Sequence, residues 1–192
     1  CCAGICQAVE TRQIHVDEFW ATGNLKQNSN VQFGEGGAGT FSDGKLTSRS
    51  KDPRLHHILT TFVRFGAPED ILWLRYPHIG TGILRTVVSN MRNHIINLGG
   101  QVLFDQQVKG LEWNYMNDGS RRVRRVLTQS HTFEASQVIL AIGHSARDSF
   151  LSLHEQGIAM ENKPFAMGFR IEHPQLMVEH AQYGPYAYDD RL

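Results

Sequence analysis

From Asn30 to Lys45 the chain reads Asn-Val-Gln-Phe-Gly-Glu-Gly-Gly-Ala-Gly-Thr-Phe-Ser-Asp-Gly-Lys, and five glycines, Gly34, Gly36, Gly37, Gly39 and Gly44, fall within eleven residues. Glycine takes positive φ and lets a ligand approach the backbone with no Cβ in the way. Such runs aim several N–H groups at one point, a nest that suits an anion and above all a phosphate. Small or hydroxylic residues, Thr40 and Ser42 among them, fill most of the gaps. A nucleotide cofactor is the first ligand this loop suggests. The alternative is a flexible surface loop, since glycine-rich stretches are common.

Other residue types able to do chemistry are less ordered. Gly39-Thr-Phe-Ser-Asp-Gly-Lys45 spells G-x-x-x-x-G-K, but Leu46 stands where a magnesium-ligating Ser or Thr belongs, and Thr47 comes one position late. The lysine of such a motif must also open a helix, and Thr47–Pro53 is poor helix material. A P-loop NTPase is therefore a distant alternative. The ten histidines include no H-E-x-x-H and no metal-ligand spacing. His78, His144 and His173 each lie beside a Gly or Pro turn and could act as acid or base. Ser42-Asp43 with Lys45 forms a polar cluster without a nucleophile–base order, and no G-x-S-x-G elbow is present.

The elements that must position these residues follow from periodicity. A helix includes Val16 to Thr22. Asp52-Pro53 opens another, with Leu55, Ile58, Leu59, Phe62, Val63 and Phe65 at mostly helical spacing up to Gly66. Pro68–Trp73 suggests a short helix and Tyr76–Gly82 a loop. The clearest helix is Ile83 to Leu98, whose Leu84, Val87, Val88, Met91, Ile95 and Leu98 form one stripe stopped by Gly99-Gly100. Strands are expected at Gln101–Phe104 and Gln107–Trp113, then a hairpin turn at Asn117–Ser120, a strand at Val123–Thr128 and a turn or short strand at Ser130–Glu134. Gln137-Val-Ile-Leu-Ala-Ile142 reads as a buried parallel strand ending in Gly143. Helix, strand, hairpin, buried strand and glycine turn is the order of an α/β domain carrying a small meander, and in open α/β sheets ligands sit at carboxyl ends of strands.

Composition sets limits. The 192 residues suffice for one sizeable core or one and a half domains. Nineteen Lys plus Arg balance nineteen Asp plus Glu, so no global field draws nucleic acid or an anionic membrane. The basic run Arg121–Arg125 beside Asn117–Ser120 reads as a solvated hairpin edge. No apolar stretch approaches the roughly 20 residues needed to span a bilayer. Cys1, Cys2 and Cys6 form no disulfide framework, and a reducing, cytoplasmic compartment is the expectation.

Five segments taken in order carry a resemblance: Phe19–Gly23, Asn30–Thr47, Pro77–Thr81, Val138–Asp148 (Val-Ile-Leu-Ala-Ile-Gly-His-Ser-Ala-Arg-Asp) and Lys163–Pro174 (Lys-Pro-Phe-Ala-Met-Gly-Phe-Arg-Ile-Glu-His-Pro). Over roughly residues 9–184 the chain resembles the uncharacterised bacterial FAD-dependent dehydrogenases, flavoproteins of the two-dinucleotide-binding-domain kind. The resemblance implies a partial Rossmann-like FAD-binding domain with a β-meander over residues 1–150, then the start of a substrate domain over 151–192. It implies FAD as cofactor and a small-molecule substrate that the family does not identify. Carried over, Gly34, Gly36, Gly37, Gly39, Thr40, Ser42, Gly44 and Lys45 would lie against the flavin and its phosphate–ribityl arm. Val108 would meet the adenine through its backbone, and Ala141 and Gly143 would abut the cofactor at a strand end. No catalytic residue is carried over. The chain departs from the family where such proteins begin: no G-x-G-x-x-G precedes residue 20, and no acid stands near Gly4, where a ribose-binding carboxylate is expected. The closing segment of the FAD domain would follow residue 192. The resemblance thus implies the interior of a longer flavoprotein, and a non-catalytic remnant scaffold is the alternative.

Overall fold

The structure, a computed structural model, describes residues 2–4, 6–42, 44–46 and 51–187. Cys1, Asp43 and Thr47, singled out above, lie outside them. The chain forms two compact units, Cys1–Ile158 and Ala159–Leu192. It is mixed α/β.

In the first unit, β1 (Cys2–Ala3) pairs in parallel with β2 (Val102–Leu103), Cys2 opposite Val102 and Ala3 opposite Leu103. Parallel neighbours need a long crossover, and this one holds three helices. α1 (Val9–Thr22) is free of Gly and Pro, and it ends where Gly23 takes the left-handed conformation, its N–H donating to the Phe19 carbonyl. α2 (Arg54–Arg64) starts after Asp52, whose carboxylate accepts the Arg54 N–H at 2.9 Å. α3 (Thr81–Asn97) ends at Gly99-Gly100, whose N–H groups return to the Ile96 and Ile95 carbonyls. Short 3-10 turns at Ala38–Phe41 and Glu69–Leu72 complete the crossover. The expected helices are all present, with Pro68–Trp73 as a 3-10 turn.

Ala67, Ile71, Ile79, Leu84 and Val87 form the buried core, with Leu59, Phe62, Val63, Val88 and Met91 packed around it. α3 turns its stripe inward as its periodicity requires, but only as far as Met91. Ile95 and Leu98 are exposed, Leu98 by 75%. The last turn of α3 instead packs through His94, whose ring lies 5.2 Å from that of Phe65.

A three-stranded antiparallel meander follows in the order β3 (Val108–Tyr115), β4 (Arg121–Thr128), β5 (Thr132–Glu134). In the β3–β4 turn the Asp118 carboxylate accepts the Ser120 N–H at 2.9 Å and Met116 N–H reaches the Ser120 carbonyl. The basic run opens β4 in the β3–β4 hairpin, with Arg122 and Arg124 exposed, and β5 pairs with β4 only from Arg125 onward. Arg125 bonds Glu112 and Glu134, and the Arg121 guanidinium lies 4.6 Å from the Trp113 ring centre and donates to the Gln156 carbonyl. α4 (Arg147–Glu155) covers β3: the Ser152 hydroxyl donates to the Lys109 carbonyl, and the nearby Gln156 side chain accepts the Leu111 N–H.

Gln137–Ile142 is not a buried strand. It is unpaired backbone, with Ile139 exposed by 93%. An interior parallel strand takes its burial and its rungs from strands on both sides, and among the described residues none runs beside it. α3 therefore packs on the α2 region and the 38–41 turn, not on this run.

The second unit has no regular secondary structure up to Pro174, then α5 (Gln175–Tyr183) and a 3-10 turn at Gly184–Tyr186. Phe165, Met167, Phe169 and Ile171 stand at every second position of that segment, all largely exposed. Among the described residues no helix is long and apolar enough to cross a membrane.

Candidate functional site

The glycine-rich run is folded against α1 and α3 by a charged network. Arg12, on the inner face of α1, is fully buried. It donates to the carbonyls of Asn30 (2.8 Å), Glu35 (2.7 Å) and Val31 (2.9 Å), and its guanidinium carbon lies 4.6 Å from the Phe41 ring centre. In return the Glu35 carboxylate accepts the Val9 N–H at 2.8 Å, on the first turn of α1, where a negative charge meets the positive end of the helix. Arg92 of α3 holds Glu35 at 2.7 Å and Glu10 at 2.6 Å. The shared guanidinium treats its carboxylates unequally. Its hydrogen bond holds the largely exposed Glu10 down to about 2, while burial pushes Glu35 above its usual value despite the same partner. Burial also draws Arg12 down to about 10, which leaves it charged at neutral pH.

This arrangement accounts for part of the glycine density. A Cβ on Gly34 would lie 2.3 Å from Cδ of Arg12, one on Gly36 2.2 Å from Oγ1 of Thr40, and one on Gly44 3.0 Å from the Gly80 nitrogen. These three glycines serve the protein's own close packing. At Gly37 and Gly143 a Cβ would meet nothing within 4 Å. Gly37, with φ 70 and ψ −167, holds a conformation essentially restricted to glycine. Gly39 sits on Leu84, and Thr40 is fully buried with its hydroxyl oxygen unpartnered.

The outer side of the loop is open. Gly36, Gly37 and Ala38 are exposed. Among the described residues, no hydrogen bond leaves the backbone N–H of Gly36, Ala38 or Gly39. Ser42 and Lys45 are exposed at the loop's far end, where Lys45 bridges to His78 in antiparallel fashion and Leu46 is not helical.

The structure links the loop to the other residues read from the sequence. The Gln32 amide donates to the Ser145 hydroxyl at 2.9 Å across 113 residues of chain, and His144 Nε2 lies 3.1 Å from the same hydroxyl. Exposed Ala141 and Gly143 lead directly into that turn. Beyond it the Asp148 carboxylate accepts from the Gln107 amide at 3.0 Å, next to Val108, whose backbone pairs with Thr128 at the start of the meander. Beside the loop is a cavity of about 420 Å³ with Phe19, Leu25, Val31 and Phe33 in its wall. Asn30 shapes that wall. Its amide donates to the Lys26 and Gln27 carbonyls and accepts the Gln32 and Phe33 N–H groups.

Sequence reasoning missed Arg12, Gln32, Glu35, Arg92 and Ser145. Gln32, Glu35 and Ser145 stand inside segments that carried the resemblance, where only glycines and hydroxyls drew notice. Arg12 and Arg92 gave no signal, because one arginine on a helix is ordinarily solvated. Among the described residues no three His, Cys, Asp or Glu side chains gather as a metal site would require.

No protein-family model matches the chain. An uncharacterised protein of Clostridium beijerinckii is similar to it, 42% identical over 176 residues, which are 92% of this chain and 32% of that protein. The chain spans about a third of the length of this curated relative.

Proposed function

We propose that the chain is part of an FAD-dependent oxidoreductase, a dehydrogenase of a small molecule, and that its partial Rossmann-like domain offers the Gly34–Lys45 loop to the phosphate–ribityl arm of the flavin. The observation that carries this reading is the stretch Gly36–Gly39, exposed over Gly36–Ala38, whose N–H groups at Gly36, Ala38 and Gly39 are unspent among the described residues. Unspent donors on a rigid loop favour an anion. The Gln32–Ser145 bond supports it by setting the Gly143 turn beside the loop, and the parallel pairing of β1 with β2 across a helical crossover supports the Rossmann-like part of the reading. Against a full cofactor site stands the end of β1, where Gly4 offers no carboxylate to a ribose. The chain's own residues therefore fit the anionic centre of the cofactor better than its adenosine end.

When bound, the flavin supplies the electron transfer. This chain's residues would hold its phosphates by backbone N–H groups and keep Ala141–Gly143 free of side-chain bulk. Gly37→Val does not test this alone, because Gly37 is held to glycine by its own backbone. Ala38→Asp does, since it sets a carboxylate beside the open donors on an exposed residue. FAD is titrated into this chain by flavin fluorescence, and the Clostridium beijerinckii relative is purified and its visible absorbance read. The relative is expected to be yellow. This chain is expected to bind FAD weakly, more weakly still by at least tenfold with Ala38→Asp. A colourless relative that takes up no FAD refutes the proposal. The non-catalytic scaffold is the second reading, favoured by the exposed, unpaired Gln137–Ile142 run; it expects no flavin response from either protein.

A further inference from the structure

Arg12 is unusual in that its buried charge is matched mainly by carbonyl oxygens of one loop. The carboxylate of Glu35 is taken by Arg92 and the Val9 N–H, and Arg12 bonds the Glu35 carbonyl instead, at 2.7 Å. In a trans peptide the C=O and the following N–H point in opposite directions. A Glu35 carbonyl drawn inward to Arg12 therefore turns the Gly36 N–H outward, and the Gly36 N–H is one of the donors with no acceptor. Gly34 leaves the room that Arg12 needs, since a Cβ there would collide with its side chain. Phe41, at the end of the 38–41 turn, sets its ring against the guanidinium, 4.6 Å from ring centre to guanidinium carbon.

We propose that Arg12 is the positioning residue of an anion site at Gly36–Gly39: it fixes the Glu35–Gly36 peptide with its N–H outward and sets a positive charge behind the loop before any ligand arrives. This rests on reading the loop as an anion site, and it extends that reading to a residue that meets no ligand. The ligand class is a phosphate or diphosphate, whether free or part of a nucleotide.

The test uses the whole chain, labelled with ¹⁵N, with inorganic pyrophosphate as probe. Arg12→Met removes the charge and the donors, and Arg12→Lys keeps the charge with fewer donors. Ile71→Ala, a core change that leaves Arg12 and its bonds in place, controls for lost stability. Amide exchange is read at Phe33, Glu35 and Thr40, whose N–H groups have acceptors, and at Val87 in the core. Pyrophosphate is expected to shift the Gly36 and Ala38 amides of the wild type. Arg12→Met is expected to speed loop exchange at least tenfold with Val87 unchanged and to abolish the pyrophosphate shifts. Arg12→Lys is expected to lie between, and Ile71→Ala to leave the shifts intact. Loop exchange that is unchanged in Arg12→Met, or that rises only in step with Val87, overturns the proposal. A wild-type loop silent to pyrophosphate refutes the anion reading beneath it, while the exchange comparison still decides whether Arg12 sets the peptide.

Discussion

Gly34→Ala is the sharpest perturbation of the loop. The new methyl carbon would stand 2.3 Å from Cδ and 2.6 Å from Nε of Arg12, so the side chain must shift by about an ångström or more to reach ordinary contact. The three bonds of 2.7–2.9 Å to the Asn30, Val31 and Glu35 carbonyls cannot all survive such a shift. A hydrogen bond from a charged donor is worth about 1.5–3 kcal/mol. Loss of two, partly offset by water reaching the displaced guanidinium, costs about 3 kcal/mol. The backbone adds about 1 kcal/mol, because Gly34 has φ +139, where an L residue is strained. The expected loss is about 4 kcal/mol, a large part of the roughly 5–15 kcal/mol that holds a typical domain together. Urea titration followed by tryptophan fluorescence measures it, since Trp20, Trp73 and Trp113 all lie in the first unit. The decisive comparison is the same substitution in an Arg12→Ala background, where only the backbone strain should remain, about 1 kcal/mol. An equal cost in both backgrounds, or less than about 1 kcal/mol in the wild type, refutes the reasoning.

Two further outcomes are expected. Glu10 is depressed from 4.5 to about 2 by Arg92, so its contribution is complete above about pH 5 and is lost as pH falls toward 2; Glu35 is raised, so it subtracts stability as pH climbs past 4.5. Glu10→Gln should therefore lower the urea midpoint at pH 6 and match the wild type near pH 2, and a gap that stays constant with pH would place the stabilisation elsewhere. Val87→Ala, at a fully buried site, should cost about 2–3 kcal/mol, and Met91→Ala, at the core's edge, about half as much despite its larger side chain. A reversed order by denaturant titration would contradict the described core.

The helices and the meander were legible because their signals are local. Asp52-Pro53, Gly66 and Gly99-Gly100 punctuate α2 and α3, and Asn117–Ser120 announces its hairpin. What could not be read was whatever depends on residues far along the chain. Gln137–Ile142 has the composition of a buried strand, yet burial is a property of neighbours, and the described residues supply none. The site divided in the same way. The glycine run was visible, but its density has two causes that the letters do not separate: Gly34, Gly36 and Gly44 make room for Arg12, Thr40 and Gly80, whereas Gly37 faces open space. Arg12 itself looks like any solvated helix arginine until the loop that covers it is in place.

The short parallel pair at the N-terminus has a kinetic consequence. β1 and β2 meet across roughly a hundred residues, with two residues in each strand. The meander and the α2–α3 core close over short loops, whereas β1 must wait for the whole crossover and carries a larger closure entropy than either. It should dock after them and open before them, below the free energy of global unfolding. That opening reaches the glycine loop. The Gly4 N–H bonds Leu103 and the Glu35 N–H bonds Gln7, only three residues after Gly4. When β1 lifts, Glu35 loses its rung, and the peptide that presents Gly36 is left to Arg12 alone. Amide exchange at Glu35 should then follow that at Gly4 and not that at Val87, so the order of the loop is set by a late-formed contact of the fold.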